Sequence, residues 1–371
     1  MWKVTEMSKA VTQLLVLTLL MIGANTRAYA GLEDNLGLIN LPPGFSISLY
    51  ARVPGARSLA VVPQMDAVLV GSRGDTIHII RDRGLKGRPQ SVSPFMSGLK
   101  VPNGIAVKDG LVFIAEQHRI ITVPLTGKKK ERVLLSGLPD NDWHGWRYAA
   151  FGPNGKLFVA VGAPCNVCRV SGMKGTIIEV DAVTGKNRIF AKGVRNSVGM
   201  DFHPRSGQLY FTDNGSDGLG DEIPPDELNH APRAGLHFGF PWYGGGTVET
   251  GEFPGQKPPD GAISPIVGFR AHAAALGIRF YRGNQFPDAY RNSAFVAQHG
   301  SWNRTTPIGY RIMHLKFDKS GHFLEKKIFA DGWLQRGQKW GRPVDVKELP
   351  DGSLLVSDDH AGAVYRITYR P

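Results

Sequence analysis

The chain has 371 residues, 46 of them Gly and 25 Pro, with 42% apolar residues and 44 Lys+Arg against 32 Asp+Glu for a formal charge of +12. A glycine share well above the roughly 7% of average usage, beside enough apolar residues for a core, describes a globular, turn-rich protein; two cysteines, no glycine period and no long heptad run exclude disulfide scaffold, collagen and coiled coil. The positive residues are scattered, with Lys128, Lys129, Lys130 and Arg132 the one real cluster and no basic helix or stacking aromatic motif beside them, so nucleic acid is not the expected partner and a small anionic ligand or an acidic protein is.

At the N-terminus, Lys3 and Lys9 precede a mostly apolar run from Val11 to Ala24, and Ala28-Tyr29-Ala30 supplies a small-x-small cleavage pattern. Residues 1–30 therefore read as a cleavable export signal with cleavage after Ala30, too short and wrongly flanked for a spanning helix. The mature chain is expected in a periplasm or outside the cell, without a membrane span. Export makes a disulfide between Cys165 and Cys168 chemically permissible.

From there the chain repeats one unit, a turn of Pro, Asp, Asn or Gly followed by an apolar β run. It occurs around Val68, Leu111, Leu157, Leu209, Ala294 and Leu354, separated by 43, 46, 52, 85 and 60 residues. Partner strands follow several copies, at residues 76–80, 119–123, 176–180, 310–315 and 363–367. Six all-β copies with glycine-rich turns predict a six-bladed β-propeller as a single domain over 31–371. The Phe45–Tyr50 strand is expected to close the ring on the last blade. The long fourth step predicts an insertion over 213–275, where a site is expected.

Single residues from distant loops should meet at the central channel, and five segments are too polar for plain turns. Asp140-Asn-Asp-Trp-His-Gly-Trp-Arg147 carries a histidine fit for general base work, between Trp143 and Trp146 as apolar walls for a sugar ring. Gly193-Val-Arg-Asn196 sets a planar cation beside an amide. The loop from Asp213 to Glu222, continued by Asp226-Glu-Leu-Asn229, resembles hard-cation ligation, though not an EF-hand. Ala297-Gln-His-Gly-Ser-Trp-Asn-Arg304, with His272 upstream, and Trp340-Gly-Arg-Pro-Val-Asp345 complete the set. Cys165-Asn-Val-Cys168 lacks the following His of a haem site and is too few for structural zinc, so a small-loop disulfide is expected.

Assembled, these segments resemble the soluble quinoprotein sugar dehydrogenases, the pyrroloquinoline-quinone (PQQ)-dependent glucose/aldose and sorbosone dehydrogenases, over residues 40–370. The Cys165-Asn-Val-Cys168 and His299-Gly-Ser-Trp-Asn303 details look more like the sorbosone branch. The resemblance implies one PQQ over a calcium ion at the top of the channel. It makes His144 the base that takes the proton of an anomeric or aldehyde-hydrate hydroxyl, while hydride passes to the quinone. Arg195 would stabilise charge on the cofactor's reactive carbonyl, with Asn196 beside it. Carbonyls of Gly215 and Ser216 would hold calcium, Asp226 and Glu227 match a second calcium motif, and Arg342 would pair with cofactor carboxylates. His272, Arg304 and Asn103 are further rim candidates, and electrons would leave to an external quinone or cytochrome.

Three positions depart from the glucose-type pattern. Ala163 stands where a carboxylate orients the histidine, leaving Asp142 to do so. Val344 replaces a second arginine, and the cofactor-binding lysine has no clear match unless Arg304 takes its place. The rival readings are a calcium-dependent lactonase on the same fold and a propeller binding module with a degenerate pocket.

Overall fold

The computed structural model describes residues 31–127 and 130–371; the export signal with its Ala30 cleavage site, and Lys128 and Lys129 of the basic cluster, lie outside the described residues. Residues from 40 onward form one compact unit, separate from the segment before it, in which 31–36 are helical. The strands arrange as six sheets of at least four strands, a six-bladed β-propeller. Blade 1 spans residues 59–96, blade 2 104–136, blade 3 149–192, blade 4 200–268, blade 5 275–330 and blade 6 343–369. Neighbouring first strands contact one another all the way round the ring. Among the described residues no helix is long and apolar enough to cross a membrane.

The repeated unit is the second strand of each blade. Ala67–Val70, Leu157–Val161, Leu209–Asp213, Ser293–Gln298 and Leu354–Asp358 are buried along their whole length because an adjacent blade covers each of their faces, which is why they read as continuous apolar runs rather than alternating ones. The outermost strands, such as Ser91–Met96 and Phe323–Ala330, are largely exposed. Turn chemistry sets the register: Asp109 and Gly110, at φ 49° and 74°, form the two-residue turn joining Gly104–Lys108 to Leu111–Ala115, as an Asp-Gly pair between β runs should.

Phe45–Arg52 pairs antiparallel with Ala363–Tyr369 and closes the ring as expected. Its Phe45 ring sits about 5 Å from those of Phe286, Phe329 and Tyr369, so closure also builds the aromatic core between blades 5 and 6. The interface of blades 1 and 2 is filled mainly by aliphatic side chains, such as Leu69, Ile79, Ile105 and Val112, whereas Phe158, Phe202 and Phe211 pack between blades 3 and 4 and Phe280 and Phe317 in the cluster of blades 4 and 5.

The stretch over 213–275 differs from a plain insertion. It holds the third strand of blade 4, Glu227–Ala231, its fourth, Val267–Gly268, and Leu236–His237, which adds a parallel fifth strand to blade 3. Asp226-Glu-Leu-Asn229 therefore enters a buried strand. It escaped the apolar pattern because its inward carboxylates are compensated by backbone N–H donors.

Candidate active site

In an antiparallel sheet the start of the first strand and the end of the second lie at the same edge, so these positions of every blade collect at one mouth of the channel. There a cavity of about 350 Å³ is lined by His144, Arg195, Asn196, Gly215, Asp226, His272 and Arg342 among the residues singled out in the sequence. Its apolar floor is Val198 and Leu276, packed with Val344 and Trp146. Val344, which replaces a second arginine, thus supports the floor. Trp143 and Trp302, 54% and 76% exposed, stand at the rim.

His144 has φ 51°, in the left-handed region, and the Arg147 guanidinium donates to its carbonyl at 3.2 Å. Its Nδ1 lies 2.8 Å from the carbonyl oxygen of Ala163. A carbonyl only accepts, so Nδ1 carries the proton and Nε2 presents a lone pair. Asp142 is exposed and is not the orienting partner. The main chain at residue 163 performs that task, and needs no side chain to do so. Burial, then the nearby Arg195 charge, pushes the imidazole down to about 3, so it is neutral at physiological pH.

Arg195, almost fully buried, donates through Nε to the Asn166 carbonyl at 2.8 Å, through Nη1 to the Asn214 carbonyl at 3.2 Å, and through Nη2 to Asn166 Oδ1 at 2.8 Å and Asp217 Oδ2 at 3.2 Å. These four bonds leave one Nη1 hydrogen for the cavity. Behind it, Asp213 accepts from the backbone N–H groups of Arg195 and Asn196. Burial, then the neighbouring Glu227, pushes the Asp213 carboxyl well up from the usual range.

Two arginines that line the cavity beside Arg342 were not found in the sequence. Arg57, 1% exposed, donates to Asn103 Oδ1 at 2.8 Å and Asp359 Oδ2 at 2.6 Å, while Arg73 lies 4.3 Å over the Trp146 ring. Both line the cavity with Arg342, whose Nε and Nη2 donate to the carbonyls of His299 and Gly300. His299 Nε2 is 2.7 Å from Asp359 Oδ1. Burial pushes His299 down to about 3, whereas for Asp359 burial is outweighed by the His299 hydrogen bond and the Arg57 and Arg73 charges, which hold it ionised. Arg57 and Arg73 resemble ordinary surface arginines; the available signal was their place just before the first strand and just after the second strand of blade 1.

Not every candidate reaches the cavity. Asn103 is buried between Arg57 and the Arg147 carbonyl, and Arg304 is drawn to Glu222 at 2.6 Å. Asp226 gives both oxygens to the N–H groups of Gly215 and Ala274, and Glu227 accepts from Gly245, Gly246 and Asn229. Among the described residues no three His, Cys, Asp or Glu side chains converge as a metal site. A hard cation fits better on neutral oxygens: Asn196 Oδ1 and Asn214 Oδ1, on residues that line the cavity with Gly215, are buried with no protein partner, as is Ser216 Oγ just outside the lining. Cys165 and Cys168 are joined in a disulfide.

A family profile described as glucose/sorbosone dehydrogenase matches residues 126–366. An uncharacterized protein of Borreliella burgdorferi is 34% identical over 96% of both chains. The aldose sugar dehydrogenase YliI of Escherichia coli K12 is 28% identical over 49% of this chain and 44% of its own. The PQQ domain of a pyranose dehydrogenase from Coprinopsis cinerea, in its holo form, superposes with a TM-score of 0.74 at 19% identity, over 89% of this chain and 97% of that one.

Proposed function

This chain belongs to the glucose/sorbosone dehydrogenase family, and we propose that it is an exported, PQQ-dependent enzyme that oxidises an aldose or a related sugar aldehyde and passes the electrons to an external acceptor. The observation that carries this reading is the pairing, across one cavity, of a neutral histidine with a free Nε2 and an arginine with one uncommitted N–H.

The residues fit the group. Arg57, Arg73 and Arg342 offer cations to a ligand bearing several carboxylates, and the unpartnered oxygens of Asn196 and Asn214, beside Gly215 in the same lining, offer calcium neutral oxygen ligands. When bound, the quinone accepts a hydride and calcium polarises its carbonyl as a Lewis acid. His144 Nε2 takes the proton from the hydroxyl on the carbon that loses the hydride, and the Ala163 carbonyl stabilises the resulting imidazolium. Arg195 holds its free N–H where negative charge develops, in a site too dry to screen it. Trp143 and Trp302 provide faces against which a sugar ring packs. A lactonase would need free carboxylates around a central cation, whereas Asp226 is saturated by backbone donors and Asp217 is held by Arg195 and Asn303.

The test is reconstitution of the purified protein with PQQ and calcium, followed by dye reduction with a panel of aldoses and with sorbosone. Saturable cofactor uptake and sugar-dependent reduction are expected; no uptake and no reduction would overturn the reading.

A further inference from the structure

We propose that Asn166, held in the short loop closed by the Cys165–Cys168 disulfide, is the positioning residue that aims the Arg195 guanidinium into the cavity. The proposal rests on the reading of Arg195 as the group that stabilises charge there.

Asn166 supplies two of the four acceptors that fix the guanidinium, its carbonyl to Nε and its Oδ1 to Nη2, both at 2.8 Å. Two parallel bonds to the edge of a planar fork define its plane and rotation, which a single contact cannot. The same side chain grips the neighbouring loop: Nδ2 donates to the Asp217 carbonyl at 2.9 Å, and Oδ1 accepts from the Asp217 N–H at 2.8 Å. Asp217 in turn gives Oδ2 to Arg195 and Oδ1 to Asn303 Nδ2, at 3.2 and 2.6 Å. One asparagine therefore links the loop leaving the second strand of blade 3, the arginine entering blade 4 and the loop leaving the second strand of blade 4.

An asparagine on a free loop would lose conformational entropy in holding three side-chain hydrogen bonds to two partners. Closing residues 165–168 with a disulfide removes much of that freedom beforehand. The disulfide lies far along the sequence from every other site residue except Ala163, yet its one polar enclosed side chain faces the guanidinium. A rim staple requires no such contact.

The test compares the full-length wild type with Asn166→Ala, Asn166→Asp and the double variant Cys165→Ser, Cys168→Ser; the disulfide is removed by substitution because thiol reductants also consume a quinone. Turnover, KM and quinone affinity are measured on the reconstituted protein, and the His144 ring is titrated by NMR in the apoprotein. His144 is the reporter because Arg195 is the charged group acting on its ring and the Ala163 carbonyl its hydrogen-bond partner.

For Asn166→Ala we expect kcat to fall roughly 10- to 100-fold, with KM and quinone affinity within about twofold. The His144 titration and the acid limb of the rate profile should move to higher pH, because a retreating cation no longer opposes the imidazolium. Asn166→Asp keeps the acceptor for Arg195 but loses the Nδ2 donor to the Asp217 carbonyl, so it should recover part of the rate; the double serine variant should lose activity in the same sense but less.

A wild-type His144 titration in Asn166→Ala, a loss of quinone affinity or melting temperature as large as the loss of rate, or no recovery in Asn166→Asp would each overturn the proposal. Wild-type behaviour of the double serine variant would remove the disulfide from it. Failure of the wild type to turn over would count against the proposed function alone, since the apoprotein titration still decides the role of Asn166.

Discussion

His144 illustrates how little of a residue's chemistry resides in its identity. An ordinary imidazole titrates near 6.5 and would be half protonated in a mildly acidic compartment. Burial and Arg195 hold this one down to about 3. The active form is the neutral base, so lowering its pKa extends activity to lower pH. The acid limb of kcat/KM for the reconstituted enzyme should therefore lie below pH 6.5, with no loss between pH 7 and 6 attributable to this group; a limb at or above 6.5 would show that the ring is solvated and free of Arg195. Replacing the base, as in His144→Gln, should preserve quinone affinity and lower kcat roughly 10²- to 10⁴-fold. Turnover equal to wild type in that variant would refute the assignment.

Strand ends, rather than whole loops, are the elements that build the site. Ala163 and Gly162 close the second strand of blade 3, and a Cβ on Gly162 would stand 2.5 Å from His144 Cβ and 2.6 Å from its carbonyl oxygen. Glycine is required there for close approach, since the residue is not in the left-handed region. Gly162→Ala should displace the imidazole, with kcat falling about 10- to 100-fold while the quinone still binds; equal loss of both would mean the strand itself had shifted. The same register accounts for what the sequence reading missed. Arg57 and Arg73 flank the first and second strands of blade 1 much as Arg342 and Asp359 flank those of blade 6, but only alignment of strand ends reveals it. Arg304 shows the opposite case: its motif was suggestive, but its side chain lies outside the cavity lining and pairs with Glu222.

At the scale of the whole ring, the blades are joined by more than apolar faces. Asp345, fully buried on the first strand of blade 6, accepts from the Leu59 N–H of blade 1 at 2.9 Å and from the Tyr148 hydroxyl beside blade 3 at 3.0 Å, with Lys347 3.9 Å away. In the sequence Asp345 was one more polar residue of the Arg342 motif; in the fold it ties three blades together beneath the cavity. Asp345→Ala leaves the Leu59 and Tyr148 donors buried without their acceptor and removes the carboxylate beside Lys347, which should cost about 3–5 kcal/mol and lower the melting temperature by several degrees. Unchanged thermal stability would show that water already satisfies the network. The variant should also weaken the floor only indirectly, so quinone affinity in the surviving folded fraction should change little.

The sequence by itself determined the six repeats, the closing strand, the disulfide and the segments holding His144, Arg195 and Arg342, because each is a local pattern of turn residues, apolar runs or motif spacing. Only the tertiary structure decided which polar groups act together. It assigned the orientation of His144 to a main-chain carbonyl, which has no sequence signature, and brought Arg57 and Arg73 to the site from some seventy to a hundred and forty residues before the histidine and arginine they face. It also turned Asp226 and Glu227 from free carboxylates into backbone ties, because hydrogen-bond donors close in space are unrelated to neighbours in the chain. Even the +12 charge acquired a place this way: four guanidiniums from three blades converge on one cavity, a local concentration that no count along the chain contains.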